Sequence, residues 1–283
     1  MGHPQEGPGK EHRMAHTSEE IAAELRRRIH RAELRPGDRL PTMEALAEEH
    51  GVSRQTAREA LNLLKREGLA EYRGGRTGTT VRERPTTRMV RSRGMERDSL
   101  GYYSGANVQH WRAVAGTRTE VGTRPVPGDI AAALGVEPGT PVVVRERLNG
   151  DPGTAAHRQL TDSWLHPDAV AALPVLAGET GPGGIYDRIE EWAGAPIAWE
   201  EEITAITPSP DETAALLLPP GVPLLRIIRT STVTVAGRPL VAEVNDIRMS
   251  AELFSVRYPL TRQGDARWPV RPASADFYGQ ENP

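Results

Sequence analysis

Cysteine is absent from the 283-residue chain, which excludes disulfide frameworks, thiolate-held zinc, iron–sulfur clusters and thiol nucleophiles together. Lysine is almost absent too. Only Lys10 and Lys65 occur, so the positive charge is nearly all guanidinium, and Schiff-base chemistry has no candidate lysine in the C-terminal three-quarters of the chain. Aromatic residues make up only 5%. No apolar run approaches the ~20 residues that cross a bilayer as a helix, which excludes an α-helical membrane protein. Residues 1–16 are polar and lack the apolar stretch of a secretory leader, so a loose N-terminus and a cytoplasmic location are expected. Net charge is small, at −3, but unevenly placed: residues 1–93 hold 19 basic and 14 acidic side chains, and the remainder 16 and 24. A basic front suits a polyanionic partner, although drift in surface charge produces the same imbalance.

What is present begins with helical periodicity. Ile21, Leu25 and Ile29 recur every four residues behind a capping sequence at Thr17 to Glu20, predicting a helix over residues 18–32. A turn at residues 34–38 leads to a short second helix that opens at Pro41-Thr42, turns Leu46 and Ala47 inward and stops at Gly51. Ser53 then caps a third helix over residues 54–67, with Ala57, Ala60, Leu61 and Leu64 on one face. Residues 69–72 and 79–81 read as strands joined by a Gly-rich turn. Helix, helix–turn–helix and hairpin in that order make a winged helix over residues 17–82.

The N-terminal end of a recognition helix meets base edges in the major groove. Ser53, Arg54, Gln55 and Thr56 occupy that position: Arg54 can grip guanine O6 and N7, Gln55 can read adenine, and the Thr56 methyl can touch thymine, each good pair discriminating by ~1–3 kcal/mol. Arg58, one turn on, suits a phosphate. At the hairpin tip, Arg73, Gly75 and Arg76 let backbone approach a narrow minor groove between two guanidinium groups. An ordinary polar helix start and a solvated turn are the plainer alternatives. With Leu34-Arg35-Pro36-Gly37-Asp38-Arg39-Leu40-Pro41, Gly51-Val52-Ser53-Arg54, Arg58-Glu59-Ala60-Leu61 and Glu67-Gly68-Leu69, the segment resembles the DNA-binding domain of GntR-family transcription regulators. The family often carries a DNA-contacting arginine where this chain has Glu44, a departure that bears on the operator it prefers. The wing departs too, with Gly74 where Gln or His is common and an extra residue near Thr77.

Residues 83–100 are charged, proline-bearing and poor in apolar side chains, so a linker is expected there. Short alternating strands and brief helices punctuated by Gly and Pro follow in residues 101–262, which favours an antiparallel α+β domain. Residues 129–147 and 211–229 each run helix, Leu, a Pro/Gly turn and an apolar strand, predicting an internal repeat. The polar stretch 263–283 reads as a tail. Arg145 and Arg147, two apart on one strand face, are suited to clamp a carboxylate or phosphate; surface arginines neutralised by Glu200, Glu201 and Glu202 are the alternative. Gln159, Thr161 and Ser163 on a second strand, with Glu243 and Asn245 on a third, can complete a polar pocket. Tyr102, Tyr103 and Trp111 belong either to that pocket or to the core. The isolated His110, His157 and His166 do not make a metal site, so no metal or other cofactor is expected.

Ser163-Trp164-Leu165-His166-Pro167, Gly184-Ile185-Tyr186-Asp187 and Arg248-Met249-Ser250-Ala251-Glu252-Leu253-Phe254 resemble the UTRA effector domain of the HutC subfamily, similar in fold to chorismate lyase. That resemblance implies an acidic or phosphorylated effector held by the Arg145 pair, and it adds Trp164, where the family commonly has Tyr, to the contacts. The combined expectation is a homodimeric, non-enzymatic regulator, read as a repressor, that binds a pseudo-palindromic DNA operator and releases it in response to a small anion. A ligand-independent DNA-binding protein with a vestigial pocket, and a lyase-like enzyme, are the alternatives.

Overall fold

The computed structural model describes residues 17–260 except 76, 92–93, 99–100, 104–109 and 182. The expected loose ends and the Arg76 contact therefore lie outside the described residues.

The N-terminal unit is a winged helix. Helix α1 (Ser18–His30) starts with a reciprocal cap in which the Thr17 hydroxyl accepts from the Glu20 N–H and the Glu20 carboxylate accepts from the Thr17 N–H. It ends two residues before the expected Ala32, which takes φ +56° and turns the chain. Helix α2 (Met43–His50), capped by Thr42, and helix α3 (Arg54–Arg66), capped by Ser53, form the helix–turn–helix. Strands β1 (Ala70–Tyr72) and β2 (Thr79–Val81) pair antiparallel as the wing. Ile21, Leu25, Leu46, Leu61 and Leu64 meet in one core closed by Val81. Leu46 is fully enclosed there. Leu46→Ala is expected to cost ~2–5 kcal/mol through lost burial and the void left behind, read as a lower urea midpoint of helical circular dichroism.

The C-terminal unit is built on an antiparallel sheet. In chain order its strands are β6 (Arg112–Ala113), β7 (Glu120–Pro125), β8 (Pro141–Gly150), β9 (Arg158–Leu165), β10 (Ala198–Ile206), β11 (Leu224–Val235) and β12 (Arg238–Ser250). Spatially they run β10-β11-β12-β9-β8, with β7 and the short β6 sharing the outer edge of β8. The expected repeat is visible in this order. Helix α4 (Gly128–Leu134) joins β7 to β8 as helix α7 (Pro210–Ala215) joins β10 to β11, so the two halves are antiparallel images about the β9–β12 seam. Both helices cover one face, α4 over Val142, Val144 and Val244 and the residues before β11 over Leu148, Leu160 and Leu224. Arg226 ties that face together by bonding Asp246 and, across the repeat, Asp129 of α4. The opposite face packs against helix α5 (Pro167–Ala172), the 3-10 turn Pro174–Ala177 and helix α6 (Gly184–Ala193) through Leu165, Leu176, Tyr186 and Ile189.

The expected linker carries structure. Strand β3 (Met89–Arg91) pairs in parallel with β13 (Phe254–Val256), and β4 (Glu96–Asp98) forms a hairpin with β5 (Gly101–Tyr103). Backbone pairing with a distant strand is invisible to composition, which reported only charge and proline. Just before it, Arg82 donates to the Gly68 carbonyl and, through both terminal nitrogens, to the Glu252 carboxylate at 2.8 and 2.5 Å. Gly68 also meets the 220–221 loop so closely that a Cβ there would stand 2.6 Å from the Pro220 carbonyl oxygen. The winged helix is thus docked on the sheet domain.

Candidate functional sites

The α3 surface is the first site. The Ser53 hydroxyl accepts from the Thr56 N–H at 3.1 Å and lies 2.9 Å from the Thr56 hydroxyl, so Ser53 and the half-buried Thr56 fix the helix start. Gln55 donates to Glu59 at 3.0 Å, which orients its carboxamide. Arg54 projects outward with its side chain 76% exposed, 3.8 Å from Glu44 of α2. Arg58 faces a cleft between α3 and the wing that Arg39, Lys65, Gly75 and Thr77 also line. Gly75 is open on its Cβ side, as a surface approached by another backbone requires. Arg73 is less available than the sequence implied: it bonds Glu71 at 2.8 Å and Glu83 at 2.6 Å, and both partners hold it charged. Ser53, Arg54, Gln55, Thr56 and Arg58 therefore come together on one helix end, and Arg73 stands apart in an intramolecular pair.

The second site is a cavity of about 510 Å³ on the α6 face of the sheet. Its floor is Arg147, Thr161, Glu243, Asn245 and Arg229, from four adjacent strands, and its roof is Gly183, Gly184 and Tyr186 at the start of α6. The cap residue Gly183 has no side chain to bond the helix start, which borders the cavity, and the Asp187 carboxylate of the first turn lies against Gly183 and is held by Arg97. Glycine is required at this roof: Gly101 bridges to Gly183, and a Cβ on Gly101 would lie 2.6 Å from the Gly183 carbonyl oxygen. Arg91 of β3 closes one side, within 3.4 Å of Gln159 and of Glu201. Burial, then the charge of Arg229, pushes its pKa down to about 10, with Glu201 opposing. Glu201 also holds Arg229, at 2.9 Å. Trp111 and Tyr102 complete the walls and also join the core, Tyr102 by edge-on contacts with Tyr186 and Trp199. Among the described residues several buried polar atoms of the lining have no partner in hydrogen-bond geometry: Nε of Arg91 and Arg147, Nε1 of Trp111, the Tyr186 hydroxyl, and, facing that hydroxyl, Oε1 of Glu243 and Oδ1 of Asn245. Buried polar groups are ordinarily satisfied, so a cluster of orphans of both kinds marks a place for a polar ligand.

Several expected contacts are rearranged. Arg147 lines the cavity, bonding Ser163 beneath it at 2.6 Å. Thr161 and Glu243 line it as well, Thr161 accepting from Gln159 at 2.9 Å and Glu243 from Ser231 at 2.8 Å. Arg145 does not: it donates to the backbone carbonyls of Leu176 and Gly178 at 2.9 and 2.7 Å, fixing the turn after α5. Burial and the neighbouring Arg147 lower its pKa. Trp164 is a correction. Strand alternation puts it on the opposite face, packed beside α4 with Val144 and Ile130. The backbone of Tyr103 is in β5, and its side chain lies outside the described residues. His110 and His157, read as isolated, flank Asp151 at 3.5 and 3.9 Å. The residues missed were Arg91, Arg229, Tyr186 and the glycines of the roof. Arg229 was findable, since it ends the second repeat as Arg147 ends the first.

A winged helix with an exposed arginine at its recognition-helix start, joined to a sheet domain with a polar cavity, defines a ligand-responsive DNA-binding regulator. Residues 17–81 match the family described as bacterial regulatory proteins, gntR family, and residues 112–251 match the UTRA domain. The chain belongs to the GntR family. It is 30% identical over 262 residues to the HTH-type transcriptional regulator Rv0792c of Mycobacterium tuberculosis, covering 87% of each chain. It is 27% identical to the transcriptional repressor NagR of Bacillus subtilis, covering 75% of this chain and 82% of that one. A crystal structure of a GntR-family transcriptional regulator superposes with a TM-score of 0.59 at 29% identity, over 87% of this chain and 98% of the other. The protein is accordingly a DNA-binding transcription regulator with an effector-binding UTRA domain, not an enzyme. Among the described residues no helix is long and apolar enough to cross a membrane.

Proposed function

We propose that this regulator is a cytoplasmic homodimeric repressor of the HutC type that binds a pseudo-palindromic operator through paired α3 helices and releases it when an anion with hydrogen-bond donors fills the α6-face cavity. The observation that carries the reading is the pairing, in one cavity, of the Arg91, Arg147 and Arg229 guanidinium groups with the Glu243 and Asn245 acceptors that have no partner in hydrogen-bond geometry among the described residues. The guanidinium groups suit a carboxylate or phosphate; the acceptors suit hydroxyl or amino groups on the same molecule. The relative named as a repressor supports the sign of regulation. Arg145 and Ser163 support the effector site by positioning the turn and Arg147, whereas Arg147, Thr161 and Glu243 face the ligand.

The path to DNA runs along the strand between the units. Arg91 in the cavity wall belongs to β3; β3 pairs with β13; and β13 follows Glu252, which grips Arg82 at the end of the wing. Moving Arg91 toward an anion therefore pulls on the docking contact.

The DNA-reading half is tested by two variants of the full-length protein. Arg54→Ala is expected to relax preference at one base pair per half-site, with ~1–3 kcal/mol of discrimination lost, whereas Arg58→Ala is expected to weaken all sequences alike and reduce the salt slope by about 1. Competition titrations with single-base operator variants at several salt concentrations measure both. Equal, sequence-independent losses for the two would overturn the assignment of Arg54 as a base reader.

A further inference from the structure

The carboxylate of Glu44 stands where a polyanion is expected to approach. It lies in the first turn of α2, 53% exposed, with Oε1 3.8 Å from Nη1 of Arg54, and it borders the same cleft as Arg39, Arg58 and Lys65. Apart from the exposed pair with Arg54, its local benefit is the favourable end of a short helix dipole, which any acid in that turn supplies. Facing phosphates it would repel. Facing base edges it can accept a hydrogen bond, and the partner is then restricted, because an ionised carboxylate is an acceptor only. In an A·T pair the adenine amino group lies between two acceptors, its own N7 and the thymine O4, which oppose a carboxylate, whereas in a G·C pair the cytosine N4 amino group has an acceptor, guanine O6, on one side only.

We propose that Glu44 is a specificity-determining residue that accepts from cytosine N4, next to the guanine gripped by Arg54, the Glu44–Arg54 pair acting as one reading head built from two helices. The inference rests on the reading of α3 as the recognition helix. The pair is too exposed to contribute much to stability; its use is to orient Arg54 toward guanine and to set a cytosine requirement beside it.

Selection from randomised DNA duplexes, using full-length wild type, Glu44→Gln and Arg54→Ala, tests this. Wild type is expected to enrich adjacent guanine and cytosine in each half-site. In Glu44→Gln the cytosine preference is expected to fall about tenfold and shift toward adenine, which a carboxamide reads through N6 and N7, while the guanine preference persists. Arg54→Ala is expected to lose the guanine preference. An unchanged base profile in Glu44→Gln, with Arg54→Ala altered, overturns the role of Glu44 and leaves the recognition helix intact. A uniform rise in affinity for all duplexes in Glu44→Gln overturns it too, reducing Glu44 to a charge that repels phosphate. A wild type that enriches no sequence overturns the recognition-helix reading, and this inference with it. Unchanged helical circular dichroism in the exposed Glu44→Gln variant separates each outcome from misfolding.

Discussion

Glu252→Ala is expected to undock the winged helix from the sheet domain while both units stay folded. Arg82 is only 6% exposed and Glu252 14%, so removing the carboxylate strands a buried guanidinium with the Gly68 carbonyl as its remaining partner. Breaking such a pair costs ~3–5 kcal/mol, far more than an exposed pair contributes. Limited proteolysis in the 83–88 segment should accelerate by at least an order of magnitude, and small-angle scattering should show a larger radius of gyration. Cleavage at the wild-type rate would show that the pair does not hold the docked arrangement. The pair also sets a pH dependence. Hydrogen bonds from Arg82 hold the Glu252 carboxyl below its ordinary value, with burial opposing. A depressed folded-state pKa contributes stability that is complete above the unfolded-state value and is lost as pH falls through the folded one. Docking should therefore be indifferent to pH near neutrality and loosen only in acid, below the usual carboxylate range.

Arg147→Ala is expected to bind operator as wild type does and to ignore the effector. Its guanidinium lies in the cavity, and among the described residues its hydrogen-bond partner is the neutral Ser163 hydroxyl, so the change removes ligand affinity without breaking a buried ion pair of Arg147. Loss of a charge-assisted contact in an enclosed site is worth ~1.5–3 kcal/mol, or roughly tenfold to a hundredfold in effector affinity. Arg145→Ala should behave differently. It frees the Leu176 and Gly178 carbonyls, loosens the turn beside α6 and lowers the melting temperature. The two adjacent arginines are thus separable by experiment, one by response and the other by stability. A melting temperature unchanged in Arg145→Ala and lowered in Arg147→Ala would invert the assignment.

The winged helix was legible almost residue by residue because its signals are local: Thr17, Thr42 and Ser53 cap the helices they announce, and apolar spacing identifies the buried faces of α1 and α3. In the sheet domain the repeat was legible for the same reason, helix and strand being adjacent in sequence. What was not legible depended on pairing at a distance. Two-residue alternation grouped Arg145 with Arg147 correctly by face, but which of them reaches the cavity is decided by the turn after α5, whose carbonyls claim Arg145. Trp164 failed for the converse reason: a polar-tipped aromatic beside pocket residues in sequence points through the sheet to α4. Arg91 lay in a segment whose composition says linker, and only its pairing with β13 brings it to the cavity wall.

Control of DNA binding by the cavity requires that the two ligands of one protein sense each other. Anionic metabolites carrying hydroxyl or amino groups are first screened for those that raise the melting temperature of wild type but not of Arg147→Ala. A compound so identified is then titrated by calorimetry into the full-length protein alone and into its operator complex. Its Kd is expected to be weaker in the complex by the same factor, roughly 5- to 150-fold, by which it weakens operator binding, because coupling between sites is reciprocal. Equal Kd values with and without operator, for a compound whose binding needs Arg147, would contradict that control.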